Sequence, residues 1–152
     1  MISLDFDVSD VLAKAEALDK DLTRGCTLAA IEASRAGALE AVKTAPRRTG
    51  ELAESIKGRY LTHAGDTAEA VIEATAPHAE VVSKGSKPHD IVARGRALRF
   101  TAGGTTLFRQ RVHHPGTAPN PFMESGERVA QSELGSSMEH YAEVAAAKFN
   151  AE

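Results

Sequence analysis

The chain has 152 residues, 42% of them apolar, a formal net charge of −3, one cysteine and no tryptophan. That length fits one domain of residues 1–152, with a core drawn from Ala, Val, Leu and Ile rather than from large aromatics. Lone Cys26 excludes an internal disulfide and a cysteine-based zinc site, and the acidic amino terminus MISLDFDVSD lacks the basic flank and apolar run of a signal peptide.

Charge is distributed unevenly. Residues 1–46 carry net −3, residues 47–114 net +4 and residues 115–152 net −4. Two acidic ends flank a basic middle, which suits basic surface stacking on acidic surface or turning towards nucleic acid. No stretch of about 18 apolar residues is present, so no membrane span is expected.

The first element is a long helix over 9–45. Val8, Val11, Leu12, Ala15, Leu18 and Leu22 recur at helical spacing, and Leu28, Ile31, Leu39 and Val42 continue the stripe on a rotated face. Gly25 and Gly37 weaken it without stopping it, Pro46 ends it, and its length exceeds a compact domain of this size, so it is expected to bend, to break near Gly25 or to lie along a neighbour. Cys26, in an apolar stretch of this helix, reads as a buried thiol. Thr49 then stands as cap of a short helix over 50–57 that buries Leu52, Ala53 and Ile56. A strand pair follows, 58–64 and 68–75, around a Gly65-Asp66 turn. In its second strand Ala70, Ile72 and Ala74 alternate with Glu69, Val71 and Glu73.

Residues 77–91 read as a helical turn closed by Gly85, then a loop. Residues 97–112 read as a hairpin around Gly103-Gly104. A three-residue tip puts Leu98, Phe100, Phe108, Gln110 and Val112 on one face and Arg99, Arg109 and Arg111 on the other. A two-residue tip sets Arg109 beside Leu98, so the first register is preferred. The proline-rich loop 113–122 leads to a last helix over 121–149, with Asn120 as cap, a stripe of Ala130, Leu134, Met138, Tyr141, Ala145 and Phe149, and a kink at Gly135-Ser136-Ser137. The order of elements predicts an α+β fold: an antiparallel sheet of about four strands, with the long N-terminal and C-terminal helices packed mainly on one face.

Chemistry-bearing motifs are sparse. The six histidines, His63, His78, His89, His113, His114 and His140, form no HxH or HExxH spacing, and His113 and His114, adjacent in a strand, point to opposite faces. Ser83, Ser86 and Ser125 lie outside any GxSxG context. No enzyme, metal or cofactor is expected. The informative feature is a basic strip, Lys84, Lys87, Arg94, Arg96, Arg99, Arg109 and Arg111, holding a single acid, Asp90. Such a strip suits phosphate contact or an acidic helix of a neighbouring subunit, and it lacks the aromatic partners of base stacking.

Three segments together resemble one known family. APRRTGELAESI (45–56) is similar to its Ala-Pro-x-x-Thr-Gly-x-Leu-x-x-Ser-Ile motif. APHAEVVSKGSKPHDI (76–91) resembles its Tyr-Ala-x-x-Val-Glu-x-Gly-Thr segment, with His78 in place of Tyr and Ser83 and Ser86 in place of Glu and Thr. ALRFTAGG and LFRQRVHHPGTAPNPF (97–122) resemble its Val-x-His-Pro-Gly-Thr…Pro-Phe ending. The family is that of tailed-bacteriophage neck and tail-component proteins, the gene-product-ten-like family of lambdoid siphophages. The resemblance implies a structural virion protein of the head–tail junction, assembled in the host cytoplasm. It implies a neck or tail-completion ring around the DNA channel, hexameric or alternatively dodecameric. Connector or stopper proteins and tail tube proteins are its implied partners, with non-specific contact to packaged DNA. A tail terminator capping the tail tube is the alternative within the family, and a non-specific DNA-binding module the alternative outside it. Pro46, Thr49, Gly50, Leu52, Gly85, Pro115, Gly116, Thr117, Pro121 and Phe122 are the motif residues, expected to fix the shape of the subunit.

Overall fold

A computed structural model describes residues 9–64 and 67–151. Their order is α1 (Ser9–Thr44), α2 (Glu51–Ser55), β1 (Ile56–Ala64), β2 (Thr67–Ala74), α3 (Ala79–Lys84), β3 (His89–Val92), β4 (Leu98–Ala102), β5 (Thr105–Arg109), β6 (Arg111–His114) and α4 (Phe122–Ala151). The α+β class and the antiparallel pairing hold. The strands, however, form three separate two-stranded ladders, β1-β2, β3-β6 and β4-β5, in place of one sheet of about four. The expected Gly65-Asp66 turn and Val8 lie outside the described residues.

Contacts divide the chain into two compact units. One comprises the described residues up to Ala76 together with those from Phe122 on, and the other is Pro77–Pro121. The first, here the helical unit, is α1 and α4 lying antiparallel, with the β1-β2 hairpin on α1. Helix α1 runs through Gly25 and Gly37 without a break, about 54 Å at the usual rise. Both glycines are contact points. A Cβ on Gly25 would stand 2.7 Å from Tyr141 Cβ, and one on Gly37 would stand 2.6 Å from the Gly126 carbonyl oxygen. Helix α4 likewise continues through Gly135-Ser136-Ser137.

Alanine dominates the core. Ala29, Ala30, Ala33, Ala38, Ala41, Ala45 and Ala145 are buried, joined by Leu52, Ile56 and Phe122. Leu12, Leu22 and Leu39, expected to face inward, are exposed. Small side chains let two helices approach closely, so burial here comes from backbone proximity more than from side-chain volume. Polar clamps fix the pair. The Glu32 carboxylate accepts from Ser137 Oγ at 2.9 Å and from Tyr141 OH at 2.8 Å, and Lys148 Nζ meets Asp21 Oδ2 at 2.9 Å.

On the hairpin, Ile56, Gly58 and Tyr60 pair with Ala74, Ile72 and Ala70, and this face meets α1: a Cβ on Gly58 would collide with the Ser34 backbone. The alternation read in the sequence therefore holds for Ala70, Ile72 and Ala74. A bulge at Leu61 shifts the register beyond Tyr60. Thr49 does not cap α2. Gly50 does so, at φ 88° and without a side-chain hydrogen bond, and Glu54 N–H donates to its carbonyl.

The second unit, here the strand unit, holds α3 and the ladders β3-β6 and β4-β5. Strand β3 occupies residues expected to be loop. Its pairs are His89 with His114, Asp90 with His113, Ile91 with Val112 and Val92 with Arg111. The β4-β5 hairpin takes the register the sequence argument disfavoured: Leu98 pairs with Arg109, Arg99 with Phe108 and Phe100 with Leu107. Gly103 at φ 56° and Gly104 at φ 79° form a two-residue turn of the primed type, which matches strand twist. The objection to burying Arg109 loses its force because no described side chain of this hairpin is buried.

Candidate interaction surfaces

The basic strip lies wholly in the strand unit, and every member is exposed. Lys84 ends α3, Lys87 lies in the loop before β3, and Arg94 and Arg96 lie between β3 and β4. Arg99, Arg109 and Arg111 sit on β4, β5 and β6. They do not share one face as expected. Arg99 and Arg109 belong to successive cross-strand pairs and therefore project from opposite faces of their ladder, while Arg111 belongs to another ladder. Lys84 is paired with Glu80 at 2.8 Å. That hydrogen bond raises the lysine pKa above its ordinary value and lowers the glutamate's. Among the described residues the other six have no carboxylate partner.

The division into units sharpens the charge pattern. Residues 77–121 hold seven bases and two acids, net +5, whereas the remaining 107 residues carry net −8. The strand unit also lacks a core. Ala79 is its one buried residue among those described, while Val81, Ile91, Val92 and Phe108 are 52%, 39%, 55% and 60% exposed. Forty-odd residues without a shielded apolar centre fall in the range that needs outside support.

Its backbone is nevertheless well determined by the motif residues. Ser86 and Thr117 exchange two backbone hydrogen bonds of 3.0 Å each, which join the loop after α3 to the proline-rich loop after β6. Gly85 (φ 74°) and Gly116 (φ 89°) flank that bridge. A Cβ on Gly85 would lie 2.5 Å from the Thr117 carbonyl, and one on Gly116 would collide with the Ser86 carbonyl. Pro115 and Pro121 are exposed in the connecting chain, and the Asn120 amide donates to Val82 O at 3.0 Å. Helix α4 starts at Phe122, one residue later than expected, and Phe122 is fully buried. Of the first motif, Leu52 is buried, while Pro46 and Thr49 are exposed.

Three of the histidines, His89, His113 and His114, are engaged within the β3-β6 ladder. His89 and His114 stack at 5.1 Å, and His113 Nδ1 lies 2.9 Å from Asp90 on the opposite face, so the two adjacent histidines diverge as the strand geometry predicts. Gly116 N–H donates to His114 Nδ1 at 3.1 Å. Among the described residues no group of His, Cys, Asp or Glu is arranged to hold a metal ion, and no helix is long and apolar enough to cross a membrane.

The helical unit carries a feature the sequence reading missed, an apolar groove of about 610 Å³. Ala30, Ala33 and half-buried Cys26 of α1 line it with Val71 and Ile72 of β2. Met123, Glu127, Ala130, Leu134 and Met138 of α4 complete the lining. Cys26 is therefore not sealed in the core. Ala130, Leu134 and Met138 of the expected α4 stripe belong to the open groove, whereas Tyr141 and Ala145 of that stripe do pack, Tyr141 against Gly25 and Glu32, and Gly126 and Ser137 are buried beside them. The readable signal was width: α4 holds more apolar positions than one helix contact can cover.

No family model matches the chain, and neither the curated proteins nor the solved structures contain a significantly similar one.

Proposed function

We propose that the chain is a structural subunit of a closed ring at the head–tail junction of a tailed bacteriophage, a neck or tail-completion protein that turns over no substrate. The observation that carries this reading is the strand unit, net +5, with Ala79 as its one buried residue among those described. A segment of that size stays ordered by being covered, and ring assembly supplies a cover for every copy. The opposite charge of the helical unit supports a head-to-tail interface, in which one patch meets a different patch on the next subunit and rotation closes the ring. The phage assignment itself is supported by the three family-like segments, two of which meet at the Ser86–Thr117 bridge.

Six exposed bases with no carboxylate partner among the described residues also support a second reading, non-specific contact with packaged DNA through phosphates. The two readings are compatible in a ring around a DNA channel.

Light scattering of the purified chain, together with imaging of particles assembled without its gene, tests the proposal. A cyclic oligomer, and full heads with detached complete tails, are the expected results. Tails of uncontrolled length would assign the ring to tail termination instead. A monomer at all concentrations, absent from particles, would overturn the reading.

A further inference from the structure

The β4-β5 hairpin is a sheet to itself. An isolated two-stranded hairpin is at best marginally stable in water, and stable ones lay a face on something. One face of this hairpin, Leu98, Phe100 and Leu107, is half-buried. The other carries Arg99, Thr101, Thr106 and Phe108, and Phe108 is the most exposed aromatic among the described residues at 60%. A ring displayed this way beside an arginine has the composition of an interface anchor.

The groove of the helical unit has the complementary character. Ala30, Ala33, Ala130 and Leu134 belong to its lining, and Glu127 is its one charged lining residue among those described. An apolar trough with a single carboxylate in its lining selects an apolar group flanked by a cation, and it penalises an acidic partner through unpaired like charge.

We propose that this groove receives the β4-β5 hairpin of a second copy of the chain, Phe108 filling the trough and Arg99 facing Glu127. The inference rests on the ring reading and names the contact that builds it. A second copy is the occupant because both halves of the contact are on every chain in equal number and opposite charge. One subunit's hairpin in the next subunit's groove is a heterologous contact, and repetition of such a contact closes a ring. It also gives the strand unit the cover it lacks.

Two measurements test the docking on the full-length chain. In the first, Thr106, which shares the face of Phe108, is replaced by cysteine. Cys26 in the groove is then the only other thiol. A short bis-maleimide is expected to produce a ladder of cross-linked oligomers from T106C, and none from the T106C/C26S double variant. In the second, Arg99→Glu and Glu127→Arg are each expected to lower the assembled fraction by about tenfold, and the charge-swapped double variant to recover most of it. Rings that form without the cross-linked ladder and are indifferent to both charge reversals would overturn the docking and leave the ring reading standing. A cross-link confined to single chains would overturn it as well, by giving the groove to the chain's own hairpin. A protein that stays monomeric and gives no cross-link removes both.

Discussion

Gly37 of α1 and Gly126 of α4 stand back to back, each leaving the other's carbonyl oxygen 2.6 Å from where a Cβ would be. Neither position tolerates a methyl group without moving a helix, because the obstructing atom is backbone. Gly37→Ala and Gly126→Ala are each expected to destabilise the helical unit by about 1–3 kcal/mol, the usual cost of overpacking, despite the higher helix propensity of alanine. Gly135 gives the contrast. It lies in the same helix as Gly126 with open space where a Cβ would go, so Gly135→Ala should stabilise by about 0.5–1 kcal/mol. Chemical denaturation of the three variants measures both signs, and a stabilised Gly126→Ala would contradict the crossing described here.

Glu32 ties the same helices together further along. Its carboxylate accepts from Tyr141, and that bond holds the phenol pKa above its ordinary value. A raised folded-state pKa means that the folded protein keeps the proton longer than the unfolded chain. The stabilisation is complete below the unfolded phenol value of about 10 and is lost as pH rises through the folded value. Thermal melts from pH 8 to pH 11 should therefore show the Tm falling above about pH 10. Tyr141→Phe should start lower at pH 8 and fall less. Equal slopes in the two proteins would place the alkaline loss elsewhere.

The sequence was legible where side-chain period carries the information. Both long helices, the first hairpin with Ala70, Ile72 and Ala74 on its packed face, the α3 turn ending at Gly85 and the burial of Leu52 follow from spacing and turn chemistry. Reading failed where space or solvent decides. Gly25 and Gly37 read as weak points of a helix that continues through them, but a propensity scale does not know that Tyr141 and Gly126 need the room. The β4-β5 register differs from the expected one because Arg109 is not buried, and an exposed hairpin obeys its Gly-Gly turn. Strand β3, four residues with no buried member, gives no alternation to read. The basic strip was legible as composition. Its split over two faces depended on that register, and the groove depended on which apolar positions of α4 the crossing leaves uncovered.

Gly116 tests whether the strand unit is held by its backbone bridge. At φ 89°, with the Ser86 carbonyl where a Cβ would stand, alanine is strained twice. Gly116→Ala should open the Ser86–Thr117 bridge and free the His114 Nδ1 contact with the Gly116 amide. Because the helical unit has its own core, the loss should be local. Limited proteolysis should cut within 77–121 at least tenfold faster than in the parent while far-UV helicity is kept. Global unfolding on the same substitution would mean that the two units stand or fall together.

Cys26 reports on the groove directly. Its thiol is half-buried among Ala30, Ala33 and Met138, so a small thiol reagent reaches it when the groove is open and fails when an apolar side chain fills it. Labelling of the unmodified chain should slow as protein concentration rises, since occupancy by a second copy is a mass-action event. Salt should act in the opposite direction. The attraction between a +5 unit and a −8 remainder is screened as the Debye length contracts from about 10 Å at 0.1 M to about 3 Å at 1 M. At fixed concentration, added salt should therefore restore the fast labelling rate, while Phe108→Ala should give that rate at low salt already. Salt also releases bound DNA, so the preparation must be free of nucleic acid for the two effects to separate. Labelling that ignores concentration, salt and Phe108 alike would mean that nothing enters the groove when copies meet.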